Sequence, residues 1–158
     1  MAPSPAKMTA EIYRLDLLAF IHRSFLELEP AKTFEYNWHL EPIAQGLKDV
    51  ANGDCKRLII NVPPRHLKSH SASIAFPAWF LGYFPEKQVA CVSYGQDFSD
   101  TLARHSRRLM NSAFYQRFSP RGFPASVTPL QTSKPRKGDS VSPLRLEVDS
   151  PAAVQMLL

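Results

Sequence analysis

Cysteine, glycine and long apolar runs are all scarce in this chain. The only two cysteines, Cys55 and Cys91, are far apart in the sequence, so they fit neither a disulfide framework nor a metal site. Both lie in or near predicted strands, and we expect buried free thiols in a reducing compartment. No apolar run reaches the length of a membrane span, and the first residues lack a signal-peptide core. The sequence therefore predicts no membrane partner.

An excess of acidic residues is also missing. The net charge is +5, and the isoelectric point is about 9.4. This modest basic excess suits transient contact with a polyanion but does not identify one. The 158 residues are long enough for one domain with a hydrophobic core.

Hydrophobic periodicity predicts alternating helices and strands after two N-terminal helices. The expected helices cover residues 9–28, 40–50, 68–83 and 97–118, and the expected strands cover 57–62 and 88–94. Strands that alternate with helices through short loops favour a parallel sheet covered by helices. We therefore predict an α/β fold, with a flexible N-terminus at residues 1–8 and one domain over residues 9–120.

Regular patterns end near residue 121. Prolines recur at positions 124, 129, 135, 143 and 151, among scattered serines, threonines and lysines. No helical or strand period continues through this stretch, so residues 121–158 are predicted to be an irregular C-terminal tail.

A proline-stiffened loop between a predicted strand and a predicted helix carries the strongest chemical signal. It ends in Lys68 and Ser69, in the order strand, loop, helix that cradles phosphate in nucleotide-binding P-loops. Lys68 would reach the β- and γ-phosphates, and the Ser69 hydroxyl would hold Mg²⁺. The regular motif needs glycine at two positions where this chain has Val62 and Leu67. A basic turn between a strand and a helix is the alternative.

Five segments of the chain share a likeness with known proteins: PPRHLKS at 63–69, FPAWFLG at 76–82, FEYNWH at 34–39, VACVSY at 89–94 and RHSRRLMNSAFYQ at 104–116. Together they resemble the large subunits of phage terminases, which are ATPase motors that package DNA. The similarity covers roughly residues 10–120. The resemblance implies a partial P-loop NTPase fold, with ATP and Mg²⁺ as cofactors. It also implies double-stranded DNA, a portal protein and the terminase small subunit as partners, in the cytoplasm of a bacterial host.

The resemblance assigns roles to individual residues. Arg65 would approach the γ-phosphate and stabilise transition-state charge; the alternative is a surface arginine beside a turn. The expected nucleotide-binding residues are Pro64, His66, Leu67, Lys68 and Ser69 in the loop, with Trp38 and His39 at the adenine. Core packing is the alternative for Trp38, and a loop spacer is the alternative for His66.

The acids that a P-loop ATPase needs for turnover have no plausible position in the chain. Such enzymes place an acid for Mg²⁺ and a water-orienting residue on later strands, whereas Asp139, Glu147 and Asp149 lie in the irregular tail. If the codons for residues 136–158 are read one base out of frame, they permit the translation QGRFGFATSVGGGLTGRGADVII. This translation resembles the stretch that precedes the Walker B strand in the family. We therefore expect a terminase gene that is frameshifted after about residue 121, lacks its nuclease domain and does not hydrolyse ATP.

Two other functions stay open from the sequence. One is a non-enzymatic fragment that binds nucleotide, DNA or the portal, and the other is a different P-loop enzyme, such as a helicase or small kinase. Arg104, Arg107 and Arg108 form a basic helix face that would either meet DNA phosphate or stay solvated. Trp79 and Phe80 are predicted to be core residues.

Overall fold

The computed structural model describes residues 5–92, 95–118 and 153–157. The helices are α1 (Pro5–Leu15), α2 (Leu17–Leu28), α3 (Leu40–Asn52), a π-helical segment (His70–Ala75) continued by α4 (Phe76–Tyr83), α5 (Gln96–Met110) and α6 (Ala113–Phe118). The strands are β1 (Gln88–Val92) and β2 (Ala153–Leu157).

The predicted α/β architecture is wrong for this part of the chain, which is mostly helical. The two strands form a single parallel pair, with Gln88 opposite Ala153 and Val92 opposite Leu157. A P-loop NTPase fold needs a wider parallel sheet covered by helices on both faces. The described residues instead form a helical body with one strand pair, so the expected partial P-loop NTPase fold is not observed.

The predicted strand at residues 57–62 has no regular secondary structure and no strand partner among the described residues. Ile59 is 92% exposed and Leu58 is 37% exposed, whereas Ile60 and Val62 pack partly against the core. An apolar, β-branched run predicts a buried strand only where neighbouring strands supply hydrogen-bond partners. In the described ranges this run has no such neighbour and forms no strand, so the predicted strand is wrong.

The N-terminal helical pattern is divided into two helices. Asp16 has extended backbone angles and accepts a hydrogen bond from the Leu18 N–H at 2.8 Å, which makes it the N-cap of α2. Helix α3 agrees with the predicted helix and ends at Gly53, whose φ of 85° favours glycine. The Leu58 side chain lies against Gly46 of α3, and this contact holds the start of the 57–62 segment against the helix.

The core lies where α2, the π-helical segment, α4 and α5 meet. Trp79 and Phe80 are 7% and 4% exposed, which confirms their assignment to the core. The Trp79 Nε1–H donates to the Tyr13 carbonyl at 3.1 Å, and the Tyr115 hydroxyl donates to the Ala78 carbonyl at 2.6 Å. These bonds attach α4 to α1 and α6, and so fix the helix that follows the 63–69 loop.

Other differences from the predictions are local. The helix expected at 97–118 breaks between α5 and α6, and the helix α1 begins within the segment expected to be flexible. Cys55 is half-buried and Cys91 is exposed, so the expected burial of both thiols is wrong. Strand β2 gives regular structure to part of the predicted irregular tail, and residues 121–152 and 158 of that tail lie outside the described residues.

Candidate anion-binding site

The 63–69 loop has an unusual backbone. Arg65 and Leu67 adopt φ angles of 68° and 57°, and they are the two non-glycine residues with positive φ in the described part of the chain. Side chains larger than glycine rarely adopt this conformation, and such strain concentrates at functional sites. Leu67 stands where the regular phosphate-binding motif has glycine, so the backbone conformation associated with glycine is present without the glycine.

A helix begins directly after this strained residue. Lys68 and Ser69 are its first helical residues, and the Ser71 N–H donates to the Leu67 carbonyl at 2.8 Å. The N–H groups of the first turn precede this bond and have no intrahelical acceptor. A left-handed residue followed by a right-handed one also turns consecutive N–H groups toward a common point, which favours an anion. The backbone at Leu67 and Lys68 has this arrangement.

The charge around the loop is positive. No aspartate or glutamate occurs between Asp54 and Glu86 in the sequence, whereas Arg65 and Lys68 lie within the loop. Arg65 is exposed and Lys68 is half-buried. Within the described ranges, neither side chain forms a salt bridge. The electrostatic environment therefore suits a negatively charged ligand.

The structure brings His39 to the loop, although it precedes His66 by 27 residues. The His39 Nε2–H donates to the His66 carbonyl at 3.2 Å, and the two rings meet edge to face with centroids 5.2 Å apart. The His66 Nδ1–H in turn donates to the Pro64 carbonyl at 3.0 Å. Two expected site residues that are distant in sequence thus form one hydrogen-bonded unit.

Trp38 lies on the surface beside this unit. Its side chain is 75% exposed, and its ring centroid is 6.4 Å from that of His39. The alternative of core packing is therefore wrong for Trp38. An exposed aromatic ring offers a face on which a nucleobase can stack.

His70 and Ser24 form a polar contact that the sequence did not indicate. The His70 Nε2 lies 3.0 Å from the Ser24 Oγ and 3.3 Å from the Ile21 carbonyl oxygen. Burial lowers the pKa of His70 to about 4, so its imidazole is neutral at neutral pH. The contact joins residues 46 positions apart, and no local pattern marks it.

Magnesium has few protein ligands at this site. The Ser69 side chain is half-buried and offers one hydroxyl oxygen. No group of three histidine, cysteine, aspartate or glutamate side chains that could hold a metal occurs among the described residues. The described residues therefore offer the Ser69 hydroxyl, but no cluster of acidic or imidazole ligands, to a metal ion at this loop.

The remaining candidates lie elsewhere. Arg104, Arg107 and Arg108 are exposed on α5. Arg104 donates to the Thr101 hydroxyl at 3.0 Å, and Arg107 donates to the Ala103 carbonyl at 3.2 Å. The basic face is therefore present on the surface, and two of its three arginines, Arg104 and Arg107, bond within their own helix.

Comparisons with known proteins give no identification. No protein-family model matches the sequence, and no curated protein or solved structure matches the chain significantly. In the ranges that the structure covers, no helix is long and apolar enough to cross a membrane. The resemblance to terminase large subunits stays a hypothesis that rests on the quoted segments.

Proposed function

We propose that the 63–69 loop binds the phosphates of ATP, and that the chain is the N-terminal part of a terminase large subunit encoded by a phage or prophage. One observation carries the binding site: left-handed Leu67 leads directly into the helical turn of Lys68 and Ser69. This arrangement presents free N–H groups and a cation to the same point. The protein would act in the bacterial cytoplasm, with DNA, a portal protein and the small subunit as partners.

Three further features support a nucleotide as the ligand. Arg65 and Lys68 place two cations in a segment without acids, and neither is neutralised by a salt bridge within the described ranges. Trp38 offers an exposed ring next to the loop-bound His39. In this proposal the loop contacts the phosphates and the Trp38 ring stacks on the base, and these two contacts together make a nucleotide site.

We expect binding without hydrolysis. Phosphoryl transfer needs a carboxylate for the metal and a residue that orients the attacking water. The segment from residue 55 to residue 85 contains no acid, and the described residues show no metal-binding group. Among the described residues, the loop therefore offers groups for phosphate and none of the carboxylates that turnover requires.

Isothermal titration calorimetry with MgATP and with pyrophosphate tests this function. Lys68→Ala removes the charge at the helix start, and we expect the affinity to fall about tenfold or more, because one charge-assisted contact is lost. Lys56→Ala is the matched control, since it removes an equal charge outside the loop from an exposed position. We expect it to change the affinity by no more than about twofold.

Two results would contradict the proposal. One is the absence of binding by the wild-type protein, and the other is an equal loss in the Lys68 and Lys56 variants. Measurable ATP hydrolysis that Lys68→Ala abolishes would contradict only the expected lack of turnover.

A non-enzymatic DNA-binding fragment is the second candidate function. The three arginines exposed on α5 favour it, because a cluster of cations on one helix can follow a phosphate backbone. It differs from the first candidate in needing no nucleotide.

A further inference from the structure

We propose that His39 is a positioning residue that orients the loop peptide between His66 and Leu67 so that its N–H faces the bound phosphate. This inference rests on the proposed function and adds a role for the imidazole other than adenine contact. It also assigns the ligand contact to the backbone, and the histidine acts through the carbonyl that it holds.

The geometry of the peptide bond carries the first step. A trans peptide is planar, and its C=O and N–H groups point in opposite directions. The His39 Nε2–H holds the His66 carbonyl oxygen at 3.2 Å. The Leu67 N–H, which belongs to the same peptide, must therefore point away from His39.

The same arrangement occurs one step earlier in the loop. The His66 Nδ1–H holds the Pro64 carbonyl oxygen at 3.0 Å, which turns the Arg65 N–H in the opposite direction. The residues after the two held carbonyls are Arg65 and Leu67, the same two that adopt positive φ. Each imidazole thus lies at one of the two strained peptides, and their shared ring contact at 5.2 Å couples them.

The position of His39 in the fold leaves its ring free for this task. His39 is the N-cap residue of α3, but its side chain makes no capping hydrogen bond, and its backbone angles are helical. Serine or aspartate at an N-cap normally bonds to its own helix. The imidazole bonds instead to the loop, so the start of α3 serves as the anchor for the 66–67 peptide.

Loss of this anchor would change what the loop presents to an anion. Left-handed conformations at Arg65 and Leu67 cost free energy, and they persist only when surrounding contacts hold them. Without the imidazole, the 66–67 peptide can rotate and turn its carbonyl oxygen toward the phosphate. The partial negative charge of that oxygen repels the ligand, and one N–H donor is lost.

Pyrophosphate titration of three variants at neutral pH tests the role of His39. We expect His39→Ala to weaken binding about three- to tenfold, which corresponds to one hydrogen bond. His39→Gln keeps an N–H donor of similar reach and should restore part of that loss. His22→Ala is the control, because the exposed His22 ring packs on Phe34 instead of the loop, and it should leave the affinity unchanged.

A spectroscopic measurement separates positioning from general damage to the fold. In the ¹H–¹⁵N spectrum of the wild-type protein, the Leu67 amide should shift when pyrophosphate is added, and in His39→Ala this shift should be lost or strongly reduced. Circular dichroism melting should place His39→Ala and His22→Ala at similar midpoints.

The outcomes distinguish this inference from the proposed function. Binding that depends on Lys68 but is equal in the wild-type protein and His39→Ala overturns the role of His39 and leaves the function standing. A Leu67 amide that does not respond to bound pyrophosphate overturns it as well. If the wild-type protein binds no pyrophosphate, the proposed function is wrong and this inference fails with it.

Discussion

His70 is held as a neutral imidazole where α2 meets the π-helical segment. Its Nε2 contacts the Ser24 hydroxyl and the Ile21 carbonyl, and the Phe25 ring lies edge to face at 5.5 Å. Burial is the main cause of its lowered pKa of about 4; nearby His105 lowers it further, and the Ile21 carbonyl and Glu29 oppose the shift. Protonation of His70 therefore competes with the packing of the helix that follows the loop.

Stability should fall as the pH drops from about 6.5 to about 4. The unfolded chain binds a proton at His70 near pH 6.5, and the folded protein does so only near pH 4. Because the unfolded state binds more protons in this range, acidification favours unfolding, by up to roughly 3 kcal/mol. Urea unfolding of the wild-type protein and of His70→Gln across this range measures the effect.

The slope with pH, not the absolute stability, is the quantity to compare. His70→Gln should lose most of the slope, and His22→Ala should retain it. Equal slopes in the wild-type protein and His70→Gln would show that other groups cause the pH dependence.

At the residue scale, the sequence predicted the helix position and the burial of single residues better than it predicted contacts between distant residues. Lys68 and Ser69 open a helix as expected, and Trp79 is a core residue as expected, because each follows from local pattern. The bond from His39 to the His66 carbonyl and the contact of His70 with Ser24 depend on how α2 and α3 pack around the loop. No local pattern encodes such contacts, so they could not be predicted.

The element that follows the loop is fixed by close packing at Gly82. A Cβ atom added at Gly82 would lie 2.6 Å from Cε1 of Phe118 and 3.3 Å from the Tyr115 hydroxyl. Helix α4 therefore approaches α6 as closely as it does only because residue 82 has no side chain.

Gly82→Ala should destabilise the protein by about 1–3 kcal/mol, because the buried Phe118 ring must move to admit the methyl group. Gly95→Ala is the matched control, since a Cβ there meets no atom within 4 Å and the φ angle of −138° suits alanine. Thermal unfolding of both variants measures the difference. A similar midpoint for the two would mean that α6 moves aside at little cost.

Elements differed in how well the sequence predicted them. Helix α3 was predicted within two residues, because its apolar period and the glycine at its end are local signals. The break between α1 and α2 also had a local signal, since Asp16 is a typical N-cap residue. The segment at 57–62 has the composition of a strand, but no strand pairs with it in the part of the chain that the structure describes, and a strand forms only with a partner.

At the scale of the whole molecule, two regions offer positive charge to an anionic ligand. One is the 63–69 loop, with Arg65 and Lys68, and the other is the exposed arginine face of α5. The loop suits a compact anion such as pyrophosphate, whereas the arginine face of α5 suits an extended anion such as DNA. The net charge of +5 serves either.

Duplex DNA should bind weakly through α5, because few phosphates are neutralised, and for the same reason its affinity should fall only gradually as the salt concentration rises. Reversal of Arg104 and Arg108 to glutamate should abolish it without changing pyrophosphate affinity. Fluorescence anisotropy with a labelled duplex at two salt concentrations measures both effects. DNA binding that is unchanged by the double substitution would remove α5 as the contact surface and weaken the second candidate function.

The segment at residues 58–62 leaves the apolar side chain of Ile59 almost fully exposed. Four of the five residues 58–62 are apolar, three of them β-branched, and no neighbouring strand in the described ranges covers their backbone groups. Such segments are templates for aggregation. The chain places charges directly before this segment, at Lys56 and Arg57, and prolines directly after it, at positions 63 and 64. Charges and prolines in flanking positions oppose edge-to-edge growth, so the prolines of the 63–69 loop also oppose pairing of this segment with other chains.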